Sequence, residues 1–156
     1  MWFSIGAHPG FSCPLEAGLS FEDYLIEFDS IQTLSRHLIS DGLIIDGPEP
    51  FLNGESSFNL TPGLFDHDAI VLKGIRSDGA VLRSKKGRKF VRVEFPGWPY
   101  LGIWTKPGGA PFVCIEPWYG IADGVAFAGD LNEKEGILRL DPGGQFECRY
   151  RIVIGI

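Results

Sequence analysis

Alternation of apolar and polar side chains with a period of two is the strongest pattern along this chain. It is clearest from Phe146 to Ile156, where every even-numbered position is apolar. Alternate side chains of a strand point to opposite faces, so this segment predicts a long, half-buried strand. Phe90 to Phe95, Tyr24 to Phe28 and Ala69 to Lys73 show the same pattern over fewer residues and predict further strands.

Turn-forming residues separate these segments, with Gly-Pro, Asp-Gly and Pro-Gly-Gly sequences in the gaps. Many short strands at turn-sized spacing predict an antiparallel sandwich or barrel. The one predicted helix covers Ser30 to Ser40, where Ile31, Leu34 and Leu38 are apolar and Asp-Gly follows. No linker divides the chain, so residues 1–156 are predicted to form one domain.

The amino-acid composition supports a β-rich protein and excludes several classes of partner. The 156 residues include 21 Gly and 11 Pro, an excess that disfavours long helices. The net charge of −6 argues against nucleic acid as a partner. The sequence has neither the basic leader typical of a secretory signal nor an apolar run long enough to span a membrane, so neither secretion nor a membrane partner is predicted. Cys13, Cys114 and Cys148 lack CxxC spacing, which predicts reduced thiols in a cytoplasmic protein.

Two titratable residues stand in unusual surroundings. His8 lies between a strand-like run and a Pro-Gly turn, and Glu116 is the single charge between Pro111 and Gly120. An apolar setting raises the pKa of a carboxyl group and makes it a better base near neutral pH. The alternatives are a hydrogen-bonded structural role for His8 and an ion pair with a distant segment for Glu116.

A third candidate is the run Asp66, His67 and Asp68, which also fits a solvated turn; a metal site there would need more ligands than the sequence shows. Four large aromatic side chains lie near Pro-Gly loops and either belong to the core or form a surface that stacks on the C–H groups of a sugar. They are Trp98, Trp104, Trp118 and Tyr119. Motifs for nucleotide binding are absent.

Four segments, Ser4 to Phe11, Leu64 to Ala69, Pro99 to Pro107 and Cys114 to Asp123, closely resemble the aldose 1-epimerase (galactose mutarotase) family in its LacX-like branch. The resemblance covers nearly the whole chain but only the carboxyl-terminal half of the family's chains. It implies an all-β, antiparallel β-supersandwich of the galactose mutarotase-like kind, here a partial one. It also implies an isomerase that interconverts the α and β anomers of a free hexose without a cofactor or metal.

The resemblance also implies roles for single residues. Glu116 would be the general base and His8 the general acid, on opposite sides of the sugar ring. Asp68 would bind a sugar hydroxyl group, with Asp66 as the alternative because the local register is ambiguous. Trp104 and Trp118 would line the sugar pocket.

The resemblance further implies that the family's amino-terminal half supplies an Arg and a second His to the site. Without that half, sheet edges are expected to be unpaired. A homodimer or a complementing amino-terminal half would cover them. The alternative function is a non-catalytic carbohydrate-binding sandwich or an inactive truncated fragment. A basic cluster, Lys85, Lys86, Arg88 and Lys89, leaves a sugar phosphate open as substrate but is more typical of a solvated hairpin tip.

Overall fold

The computed structural model describes residues 1–156, and its regular secondary structure is almost entirely β-strand, which confirms the predicted all-β class. The helical segments are three short 3-10 turns, Phe21–Asp23, Pro62–Phe65 and Leu131–Glu133. None of its helices is long and apolar enough to cross a bilayer. The strands are β1 (Trp2–Phe3), β2 (Gly10–Ser12), β3 (Tyr24–His37), β4 (Ile39–Ser40), β5 (Leu43–Ile44), β6 (Glu49–Asn59), β7 (Ile70–Lys73), β8 (Gly79–Ser84), β9 (Phe90–Glu94), β10 (Tyr100–Trp104), β11 (Phe112–Trp118), β12 (Leu138–Arg139) and β13 (Arg151–Gly155).

Nine of these strands form one curled antiparallel sheet organised by β3, which is 14 residues long. Strand β6 pairs along one edge of β3. On the other edge, β8 pairs with the first part of β3 and β7 with its last two residues. Strands β9 and β13 continue from β8 and complete the β8 arm, whereas β10, β11 and β2 continue from β7 and complete the β7 arm. The two arms therefore share β3 and diverge from it.

The main hydrophobic core contains side chains from both arms. Val93 on β9, Leu101 on β10 and Ile115 on β11 are all fully buried in it. The opposite face of the β7 arm carries a smaller cluster around Val71, against which Trp118 packs. Burying one large apolar side chain contributes about 1.5–3 kcal/mol, so the main core provides most of the stability. The smaller cluster supports the face on which the candidate site lies.

The helix predicted for Ser30 to Ser40 is wrong, because this segment is mostly the second part of β3. Gln32 and Leu34, two residues apart, are buried, whereas Ile31 is 68% exposed. The residues that face the core thus recur every second position, as in a strand. The apolar alternation that would have predicted this strand is interrupted because one core-facing residue, Gln32, is polar. Its amide nitrogen donates to the Ser30 carbonyl and its amide oxygen accepts the N–H of Arg76.

The long strand predicted at the carboxyl end is only partly right. β13 spans five residues and is an edge strand paired with β9. The face expected to be buried is uncovered, with Ile154 77% and Ile156 90% exposed. Before β13 the chain is irregular, and the Trp98 indole N–H binds the Arg149 carbonyl at 2.7 Å in place of a strand partner. The three shorter predicted strands are confirmed within β9, β3 and β7.

The basic cluster lies at the exposed tip of the β8–β9 hairpin. The backbone N–H groups of Arg88 and Lys89 donate to the Glu16 carboxylate at 2.8 and 3.1 Å. The Lys86 ammonium group pairs with Asp23 at 2.6 Å. These contacts with the 16–23 loop fit a solvated hairpin tip.

Candidate active site

Strand β11 separates the main core from the candidate site. Its side chains at Val113 and Ile115 face the main core. Because side chains alternate along a strand, Cys114, Glu116 and Trp118 point to the opposite face of the β7 arm. The Glu116 side chain is only 2% exposed there.

His8 reaches the same face from the segment that runs antiparallel beside β11. The register pairs Gly10 with Cys114 and Gly6 with Trp118, which places His8 directly opposite Glu116. The His8 Nε2 atom lies 3.4 Å from the Glu116 Oε1 atom, and the imidazole is 64% exposed. The two groups therefore lie side by side at the edge of the sheet, without the width of a sugar ring between them.

The Glu116 carboxyl group is electrostatically unusual. Burial raises its pKa to about 7 and the nearby Asp68 carboxylate adds to the rise, whereas the Trp118 indole N–H opposes it. The Oε1 atom is buried and accepts no hydrogen bond. A carboxyl group with these properties can take up and release a proton near neutral pH.

Asp68 reaches the site through an unusual backbone conformation just before β7. Its φ of +67° lies in the left-handed region, which costs about 1–3 kcal/mol for a residue other than glycine and is least unfavourable for Asp and Asn. Its N–H donates to the Phe65 carbonyl at 3.1 Å. The side chain then lines the pocket, whereas Asp66, which directly follows the second 3-10 turn, does not.

These groups surround one cavity of about 310 Å³, at the lower end of the range of roughly 300–1,000 Å³ that is typical of ligand pockets. The structure thus brings together five of the six predicted site residues and leaves out Asp66. Ile39 and Ala69 complete the wall. The lining residues are His8, Ile39, Asp68, Ala69, Trp104, Glu116 and Trp118.

Two glycines that the sequence analysis missed position Trp118. A Cβ atom at Gly102 would lie 2.3 Å from the Trp118 Cη2 atom, and one at Gly6 would lie 2.7 Å from Cδ1. The indole therefore covers backbone that has no side chain, and Gly102 is also the β10 partner of Glu116. A glycine inside an apolar strand is the signal that could have identified this close approach. On the other wall, the Trp104 ring contacts His8 edge to face at 6.0 Å between centroids.

A second cavity, of about 390 Å³, is lined by His37, Lys73, Asp123 and Glu135 among others. Lys73 pairs with Glu135 at 2.7 Å, and Asp123 pairs with a lysine. Burial, together with the Lys73 charge, lowers the pKa of His37 and favours its neutral form. The first cavity differs in holding a buried carboxyl group, with a pKa raised to about 7, that lies 3.4 Å from an imidazole.

Comparison with known proteins gives two kinds of match, while no family model matches the chain. LacX of Lactococcus lactis subsp. lactis, in its plasmid and chromosomal forms, is 35% identical over 99% of this chain and 52% of its own length. A galactose mutarotase related enzyme from Lactobacillus acidophilus is 32% identical, with a TM-score of 0.88, over 100% of this chain and 53% of its own.

A galactose mutarotase-like protein from Lactobacillus casei is 25% identical, with a TM-score of 0.80, over 99% of this chain and 52% of its own. The chain spans about half the length of the curated relatives it matches. Its sequence is therefore similar to LacX, and its curled sheet to galactose mutarotase-like proteins, over about half of their length, which confirms the resemblance predicted from its motifs.

Proposed function

We propose that the pocket around Glu116 interconverts the α and β anomers of a free hexose, which makes this chain an aldose 1-epimerase homologue that acts without a cofactor. The observation that carries the proposal is a buried carboxyl group with a pKa of about 7, placed 3.4 Å from an imidazole in one pocket. This pair can exchange protons with a substrate near neutral pH. The similarity to a galactose mutarotase related enzyme supports the same reaction.

The proposed reaction is the opening and closing of the sugar ring. Glu116 removes the proton from the anomeric hydroxyl group while His8 donates a proton to the ring oxygen, so the bond between C1 and that oxygen breaks. Rotation about C1–C2 presents the other face of the aldehyde, and the reverse proton transfers close the ring. Both oxygens are bonded to C1, so a base and an acid that lie side by side can reach them.

Binding of the sugar is assigned to the remaining groups of the pocket. Trp104 and Trp118 offer aromatic walls for the C–H groups of the ring. The Asp68 carboxylate can accept hydrogen bonds from a hydroxyl group, and its position in the cavity favours it over Asp66. Residues 1–156 act in this proposal as one domain.

Polarimetry tests the proposal directly. We expect the purified chain to speed the change in optical rotation of freshly dissolved α-glucose or α-galactose relative to buffer. Glu116→Gln should lower that rate by about 100-fold or more, the range for loss of a general base. Glu22→Gln, which changes an exposed carboxylate, is the matched control and should keep the rate. Full activity in Glu116→Gln would remove Glu116 from the base role.

A non-catalytic sugar-binding module or an inactive fragment is the second candidate. The observations that favour it are the 64% exposure of the His8 side chain and the coverage of only about half of the relatives. Quenching of tryptophan fluorescence by sugar, without faster mutarotation, would identify a binder. A complementing amino-terminal half or a second copy of the chain would cover Ile154 on β13 and Ile156 just after it, and light scattering would detect the dimer.

A further inference from the structure

Three potential metal ligands of different chemistry lie close together where β11 meets its neighbouring segment, and two of them, His8 and Glu116, also line the pocket. The His8 imidazole, the Cys114 thiol and the Glu116 carboxylate each offer one ligand atom, and these atoms lie within 4.8 Å of one another. Cys114 and Glu116 share one face of β11 because they are two residues apart. The neighbouring antiparallel segment adds His8 opposite Glu116.

Two features of this cluster indicate a ligand. Glu116 is 98% buried, and its Oε1 atom has no hydrogen-bond partner. A buried acceptor of this kind is unfavourable unless a donor or cation satisfies it. Cys114 is 3% exposed, and its strand partner Gly10 has no side chain beside the sulfur; a Cβ atom there would lie 3.3 Å from Sγ.

The chemistry of the donors indicates which cation they suit. Nitrogen, sulfur and oxygen ligands together are typical of Zn²⁺, whereas Mg²⁺ and Ca²⁺ prefer oxygen alone. Zn²⁺ bonds of about 2.0–2.3 Å in tetrahedral geometry place ligand atoms roughly 3.3–3.8 Å apart. The His8 Nε2 and Glu116 Oε1 atoms, 3.4 Å apart, already fit this range. All three donor atoms lie within 4.8 Å of one another, so the remaining pairs need to close by at most about 1 Å.

We propose that His8, Cys114 and Glu116 form a three-ligand Zn²⁺ site with its fourth position open to water. Binding releases the Cys114 thiol proton to solvent, and also the Glu116 proton where that group is protonated. A bound ion would occupy both the base and the acid assigned above and would therefore inhibit mutarotation. The inhibition rests on the proposed function, whereas the metal site itself does not.

Titration with Cd²⁺ tests the site without any activity measurement. We expect one equivalent to produce the ultraviolet charge-transfer band of a cadmium–thiolate bond, and we expect Zn²⁺ to displace it. Cys114→Ser should abolish the band. His8→Ala, which changes an exposed residue and so should leave the fold intact, should weaken binding by about tenfold or more. Cys148→Ser is the matched thiol control and should keep the band.

Absence of the band, its persistence in Cys114→Ser, or unchanged affinity in His8→Ala would overturn the site. Polarimetry with Zn²⁺ separates the site from the function. Loss of the catalysed rate, restored by a chelator, supports both, and a rate unchanged at saturating Zn²⁺ overturns the inhibition. A normal cadmium band in a chain that never speeds mutarotation would support the site and contradict the proposed function.

Discussion

The buried carboxyl group of Glu116 should make the chain less stable as the pH rises. Its pKa is about 7 in the folded chain, against an ordinary value of 4.5. The folded state therefore holds a proton at pH values where the unfolded state has released it. The resulting stabilisation is fully present below about pH 4.5 and is lost as the pH rises through about 7. A shift of this size corresponds to about 3 kcal/mol.

Glu116→Gln removes this dependence because an amide stays neutral at every pH. The free energies of unfolding of variant and wild type should therefore differ least near pH 4.5. The difference should then shift in favour of the variant by up to about 3 kcal/mol by pH 8. Urea unfolding at a series of pH values measures it. With a slope of about 1–3 kcal/mol per molar urea, the midpoint of the variant should move upward relative to wild type by roughly 1–3 M.

The control is Glu22→Gln, which replaces an exposed carboxylate and so lacks the burial that raises the pKa of Glu116. A difference for Glu116→Gln that stays constant from pH 4.5 to 8, or that turns against the variant at high pH, would refute a buried neutral carboxyl group. A change in the urea slope would instead indicate that the compactness of one state had changed.

Gly102→Ala should displace Trp118, because its Cβ would lie 2.3 Å from that ring. We expect about tenfold weaker sugar binding by fluorescence titration and a stability loss of about 1–3 kcal/mol by urea unfolding. Asp68→Asn keeps a residue that tolerates positive φ, so it should fold normally. Its KM should rise about tenfold, and the pH–rate profile should move to lower pH because the Asp68 charge raises the Glu116 pKa. Leu101→Ala, a fully buried change in the main core, should cost about 2–5 kcal/mol by urea unfolding while leaving the sugar affinity of the folded chain unchanged.

The fold class was predictable because most strands alternate in the simple way that one buried face requires. Val91 and Val93 on β9 alternate with charged residues, and the strand follows directly. Prediction failed where a polar side chain faces inward, as at Gln32, and where apolar side chains are exposed, as at Ile154. In both places the burial of the residue depends on distant segments, which a local pattern does not contain.

The pocket was partly predictable for a similar reason. Glu116 stood out because a charge inside an apolar strand is unusual within its own segment. Its distance from His8 depends on the pairing of segments about a hundred residues apart, which local periodicity does not encode. The choice between Asp66 and Asp68 depends on one positive φ value, and the closeness of Trp118 to Gly102 depends on the register between β10 and β11.

The alternation of core-facing and pocket-facing side chains along β11 limits how this strand can evolve. Alternate positions serve the main core and the pocket, so substitutions at one set can change stability while the other set keeps its chemistry. An insertion or deletion of a single residue would exchange the two sets: Glu116 would enter the apolar core and Ile115 the pocket. We therefore expect homologous genes to vary in which apolar residues occupy the core-facing positions of β11 but to conserve Glu116 and the spacing along the strand.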